Sequence, residues 1–244
     1  MKRTLYLITI TVITLLCIAV GIFKRNTYTE QSNGYWQRGE NEQMSKQLSE
    51  FNSIEADVDV VNLTIKEGDE YAINCNYSEN CKVTYSNENQ ILKIEQQSRH
   101  LGNNNHASVI ITIPKEAILE NINLTNDVGD IKLIKISSKN LTYTGDVGNL
   151  KVESSNLEVV VAKSDIGDIE FDNIQFQQMA IENDIGDVEV ESTTQLNDYY
   201  VSLETSLGEV EVNGKDYGRK YNNNNSSDKS LKIKGSTGDV ELKY

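Results

Sequence analysis

The sequence predicts an all-β fold, a single-stranded β-solenoid with coils of about 19 residues, and three observations predict it. First, a seven-residue motif occurs six times: DVGDIKL from Asp127, DVGNLKV from Asp146, DIGDIEF from Asp165, DIGDVEV from Asp184, SLGEVEV from Ser206 and STGDVEL from Ser236. Its glycines, Gly129, Gly148, Gly167, Gly186, Gly208 and Gly238, are 19, 19, 19, 22 and 30 residues apart. A fixed period near 20 residues marks a unit that cannot bury its apolar face alone and must stack on its neighbours.

Second, the residues after each glycine alternate. Ile131 and Leu133, Leu150 and Val152, Ile169 and Phe171, and Val188 and Val190 are apolar, with Lys132, Lys151, Glu170 and Glu189 between them. Period two over a short run denotes a half-buried strand. A second apolar pair follows in each unit, at Leu141 and Tyr143, Val160 and Ala162, and Met179 and Ile181, so each unit holds two strands. Third, Asp-x-Gly-Asp suits a tight turn, because glycine accepts positive φ and Asp or Ser bonds nearby backbone amides. At roughly 3.3 Å per residue a unit traces about 60 Å, enough for one coil, and six coils about 4.8 Å apart rise roughly 30 Å.

The elements follow in chain order. Residues 5–23 carry no charge, and at 1.5 Å per residue they make about 28 Å of helix, close to the thickness of a bilayer core. Residues 1–25 are therefore expected to be a membrane anchor or signal segment. The length of the apolar stretch favours an uncleaved single-pass helix in the cell membrane, with the C-terminal domain extracytoplasmic. Cys17 follows Leu16 rather than a small residue, which argues against lipidation. Residues 26–48 are polar and without periodicity, and are read as a flexible stalk. Residues 49–244 are the solenoid domain: irregular first coils and a cap over 49–120, then repeat coils over 121–244, with an Asn-rich insertion at 213–230 expected to be an exposed loop.

The chain has 244 residues and a net charge of −14. Residues 1–25 hold four of the 23 bases and none of the 37 acids, leaving 19 − 37 = −18 for the rest. A body this acidic argues against nucleic acid as a partner. Cys75 and Cys81 lie in segments that could pair as a hairpin, 71–77 with 82–86, and are a candidate disulfide.

Two acidic constellations stand out. Asp127, Asp146, Asp165 and Asp184 would stack about 5 Å apart, which suggests weak calcium binding. Ser206 and Ser236 at the same position keep turn hydrogen bonding without the charge, so structural turns are the preferred reading. Glu170, Glu189, Glu211 and Glu241 continue a column begun by Lys132 and Lys151, a stripe that could meet a cationic peptide or basic protein or simply face solvent. His100 and His106 are read as surface-loop residues, and Tyr28, Tyr35 and Trp36 as candidates for the lipid interface. The sequence contains no G-x-S-x-G, P-loop, H-E-x-x-H or C-x-x-C pattern, so no catalytic, cofactor or metal residues are assigned and the protein is not expected to be an enzyme.

An early strand ending in Lys66-Glu67-Gly68-Asp69, the Ile111-Thr112-Ile113-Pro114 strand end and the serial Gly-Asp-Val/Ile units together resemble the bacterial β-strand-repeat putative adhesin family, a domain of unknown function similar to GIN-domain adhesin heads. The resemblance covers residues 50–244. It implies a right-handed β-helix-like fold, often membrane-tethered, and in some Gram-positive members an association with envelope stress and antimicrobial peptides. The expected function is a membrane-tethered, non-catalytic binding or scaffolding module of the cell envelope, with a cell-wall polymer, a cationic peptide or a membrane protein as partner. A regulator that senses envelope stress or antimicrobial peptides through a membrane partner is the alternative, and a glycan-acting β-helix enzyme comes third.

Overall fold

The computed structural model describes residues 42–97 and 107–244. The expected membrane helix, stalk residues 26–41, His100 and His106 lie outside them. No helix among the described residues is long and apolar enough to cross a membrane.

The described chain is all β. It runs through β1 (Glu42–Gln47), β2 (Ser53–Val60), β3 (Asn62–Gly68), β4 (Ala72–Tyr77), a single 3-10 turn (Glu79–Cys81), β5 (Val83–Glu88), β6 (Ile91–Gln96), β7 (Ala107–Pro114), β8 (Ile118–Val128) and β9 (Ile131–Ile134). It continues through β10 (Ser137–Val147), β11 (Leu150–Glu153), β12 (Asn156–Ile166), β13 (Ile169–Ile174), β14 (Gln178–Ile185) and β15 (Val188–Ser192). The last elements are β16 (Tyr200–Leu207), β17 (Val210–Val212), β18 (Lys215–Asp216), β19 (Lys220–Asn222), β20 (Ser230–Thr237) and β21 (Val240–Lys243).

These strands form two sheets, of eleven and ten strands, and the same coil order appears in both. The first runs β1-β4-β7-β3-β9-β11-β13-β15-β21-β17-β18, and the second β19-β16-β20-β14-β12-β10-β8-β2-β6-β5. Each coil contributes one strand to each sheet, and the neighbouring coils pair in parallel, giving a two-sheet solenoid. Both ends depart from sequence order. The coil β2/β3 lies between β6/β7 and β8/β9, and the last coil, β20/β21, is inserted between β14/β15 and β16/β17. The chain between the displaced coils is spent on antiparallel strands that cover the outermost parallel edges, β4 and β5 at one end and β18 and β19 at the other.

Three expectations change accordingly. Residues 42–47, assigned to the stalk, form β1, antiparallel to β4; a cap strand needs only its backbone ladder, so a polar sequence suffices. The insertion at 213–230 is not simply a loop, because β18 and β19 within it pair with β17 and β16. Cys75 and Cys81 do not sit on a hairpin. β4 pairs in the first sheet and β5 in the second, with the 3-10 turn carrying the chain between them. Both cysteines are buried free thiols, and burial pushes the Cys75 thiol up to about 11, away from reactive thiolate.

In-register stacking turns the apolar alternation into ladders. Leu63, Ile131, Leu150, Ile169, Val188, Val240 and Val210 follow one another across the first sheet. Across the second sheet, Ala56, Leu124, Tyr143, Ala162, Ile181, Ile233 and Leu203 do the same. Tyr143 is the bulky member, and its hydroxyl occupies the space a Cβ would need at Gly145; burial pushes its pKa up to about 12. All the buried apolar side chains among the described residues form one cluster between Phe51 and Leu242, so residues 39–244 hold a complete core of their own.

Candidate functional site

The motif builds one edge of the column, where the long strands of the second sheet turn into the short strands of the first. At Gly148 φ is +143°, and a Cβ there would stand 2.1 Å from the carbonyl oxygen of Gly129. The same contact recurs up the column, with Gly167 against Gly148, Gly186 against Gly167, Gly238 against Gly186 and Gly208 against Gly238. Only glycine lets successive turns approach this closely. The residue after each glycine ties one turn to the next. Oδ1 of Asp130 accepts the backbone N–H of Asn149 (2.9 Å), Oδ1 of Asn149 that of Asp168 (2.8 Å), and Oδ1 of Asp168 that of Asp187 (2.9 Å). Asp187 and Asp239 continue the series to Asp239 and Glu209. Asn and Asp are interchangeable here because only the accepting oxygen is used. Inside the turn, Nδ2 of Asn126 donates to the Gly129 carbonyl (2.7 Å) and Nδ2 of Asn183 to that of Gly186 (2.9 Å).

The calcium candidates Asp127, Asp146, Asp165 and Asp184 are exposed and stand in single file on the outer flank of this edge. Among the described residues, no three acidic, His or Cys side chains converge as a metal site would require. Burial raises the pKa of Asp127, and the charges of Asp146, Asp59 and Asp57 raise it further. The folded state thus holds the Asp127 proton more tightly than the unfolded chain. The resulting penalty is absent below the unfolded pKa and sets in fully once pH exceeds the folded one. Asp146→Asn is therefore expected to raise the melting temperature by about 1–2 °C at pH 7, with the gain fading in acid and in 1 M salt, as calorimetry across pH and salt would read.

The glutamate stripe is brought together as expected but is largely neutralised. Lys151 Nζ lies 2.6 Å from Glu170, and Lys243 Nζ lies 2.7 Å from Glu189 and 2.8 Å from Glu241. Glu189 and Glu241 hold the Lys243 pKa well above its ordinary value, and Lys132 and Lys151 lower that of Glu153. Glu211 extends the column beside Glu241.

The residues that sequence reasoning missed lie in the motif's second position. Val128, Val147, Ile166, Ile185 and Leu207 are 43–61% exposed, and strand register places them in one row with Thr237 between Ile185 and Leu207. A parity argument could have found them. Leu124 and Asn126 point inward at even numbers and Ile131 and Leu133 at odd ones; the alternation must therefore break between 127 and 130, and all four of those residues, Val128 among them, lie off the core.

A stacked two-sheet coil that carries exposed aliphatic side chains in a row along one edge, with Thr237 among them, belongs to the class of β-repeat solenoids. The chain belongs to the Toastrack DUF4097 family, whose model matches residues 51–244. Among solved structures, it is similar to a putative cell adhesion protein from Clostridium sporogenes at 18% identity and a TM-score of 0.50, with 84% of this chain and 99% of that one covered. It is also similar to a putative adhesin from Bacteroides fragilis at 15% identity and a TM-score of 0.46, with 83% and 97% covered. These likenesses concern the fold. No curated protein matches the chain.

Proposed function

We propose that the chain is a non-catalytic binding and scaffolding module of the bacterial cell envelope, held at the membrane by residues 1–25 with its body extracytoplasmic. The observation that carries this reading is the exposed row Val128, Val147, Ile166, Ile185 and Leu207. Aliphatic side chains exposed to water at this position in five of the six motif turns do nothing for the core, and apolar surface of this kind is a mark of interaction sites. The names of the similar structures, cell adhesion protein and adhesin, point the same way.

The experiment is cosedimentation of residues 39–244 with isolated cell-wall material, and separately capture on membranes from the native host, at low and moderate salt. Saturable binding that survives moderate salt in either arm is expected. Absence of binding in both would overturn the proposal. For the anchor, the full chain is expected to stay with the membrane pellet after alkaline washing, and protease added to intact cells is expected to remove the body.

A further inference from the structure

We propose that this edge docks one face of a basic amphipathic helix carried by a partner protein, an assignment that rests on the binding-module reading of the same edge. Three features of the edge lead there.

The first is spacing. From Val128 to Leu207 the row spans five inter-strand steps, about 24 Å at about 4.8 Å each. A helix of about 16 residues has that length and brings one apolar residue to a chosen line every 5.4 Å or so. The mismatch accumulates to about 3 Å over the row. An extended partner presents same-side residues about 6.7 Å apart and would run out of step by roughly 10 Å. A single-file ridge also fits the groove between side-chain rows on a helix surface.

The second feature is charge on both flanks. Asp127, Asp146, Asp165 and Asp184 border the row on one side, and the carboxylates of Asp130, Asp168, Asp187, Asp239 and Glu209 border it on the other. None of these nine has a lysine or arginine within ion-pair distance among the described residues. On the second flank Asp130, Asp168, Asp187 and Asp239 each also accept a backbone N–H of the neighbouring turn through Oδ1. Lysine or arginine beside the apolar stripe of a helix would meet carboxylates on either side.

The third feature is what the charge excludes. Two copies meeting ridge to ridge would oppose these carboxylates to one another, and an anionic bilayer would be repelled in the same way. A second copy and a lipid surface are therefore both disfavoured by the very groups that favour a basic helix.

The test titrates residues 39–244 with an 18-residue leucine/lysine amphipathic peptide at 0.15 M salt, alongside the same peptide with every lysine changed to glutamate and one with its leucines redistributed around the helix. The leucine/lysine peptide is expected to bind at least tenfold more tightly than either control. The double variant Ile166→Thr/Ile185→Thr, made with the residue already native at Thr237, is expected to lose at least tenfold in affinity while melting within a few degrees of the parent. Asp146→Asn/Asp165→Asn is expected to weaken binding and flatten its salt dependence. Unchanged affinity in the threonine variant would overturn the proposal, as would equal binding by the redistributed peptide. So would a dimer, or attachment to phosphatidylglycerol vesicles, that the threonine variant abolishes. Cell-wall binding that persists in that variant would leave the binding-module reading intact and remove only this one.

Discussion

Gly167→Ala is expected to cost about 4 kcal/mol and lower the melting temperature by about 10 °C. Two terms combine. The backbone at residue 167 sits at φ +144°, and the new Cβ would stand 2.0 Å from the carbonyl oxygen of Gly148. That oxygen belongs to backbone held by ladder bonds on both sides, with the Gly148 N–H donating to Ile166 and the Gly167 N–H to Ile185. It has little room to yield. Gly218→Ala provides the comparison: its φ is +72° but nothing lies within 4 Å of the added Cβ, so only about 1 kcal/mol is expected. Denaturant melts of the two variants separate the contact from the strain. Equal losses would show that the close turn-to-turn approach contributes nothing.

Removing residues 213–244 is expected to release two coils rather than one. The strands β16 and β17 reach the column only through β20 and β21, while their other partners, β19 and β18, lie within the deleted segment. With the last coil gone, residues 200–212 keep no ladder partner in either sheet. Hydrogen exchange should show their amides unprotected while those of residues 137–171 stay protected. Persistent protection of residues 200–212 would mean that β16 can pair directly with β14, and that the insertion of the last coil is not required for its attachment.

Much of this architecture was legible in the chain. The 19-residue period set the coil length, the alternation after each glycine placed the short strands, and the Asp-x-Gly-Asp turns marked one edge. The stacking order was not legible, because every coil carries the same kind of apolar ladder: Val188 can sit beside Val240 or Val210 with equal ease. Pairing between coils is non-local and leaves no trace in local pattern. The caps were missed for a different reason. β1, β18 and β19 hold the edges through backbone hydrogen bonds, so polar sequences such as Glu42–Gln47 serve there and read as stalk or loop. At the candidate site the acids were visible, but their partners were not. Lys151 was read as part of the column that Glu170, Glu189 and Glu241 continue, but its ion pair with Glu170 and the bridging of Glu189 and Glu241 by Lys243 came only with the register, whereas the aspartates beside the glycines proved to border an apolar row.

The place of Leu207 in that row, one step beyond Thr237, depends on the last coil lying between the fourth and fifth motif copies, so the most direct measurement is disulfide trapping in the second sheet. Ala180 is paired with Lys232, which is paired in turn with Ser202. Parallel neighbours about 4.8 Å apart are within disulfide reach, and positions two strands apart, at about 9.6 Å, are not. Mild oxidation of Ala180→Cys/Lys232→Cys is expected to give the intramolecular bond, read by mass spectrometry, while Ala180→Cys/Ser202→Cys stays reduced. A bond in the second pair and none in the first would contradict the stacking order and, with it, the position of Thr237 between Ile185 and Leu207.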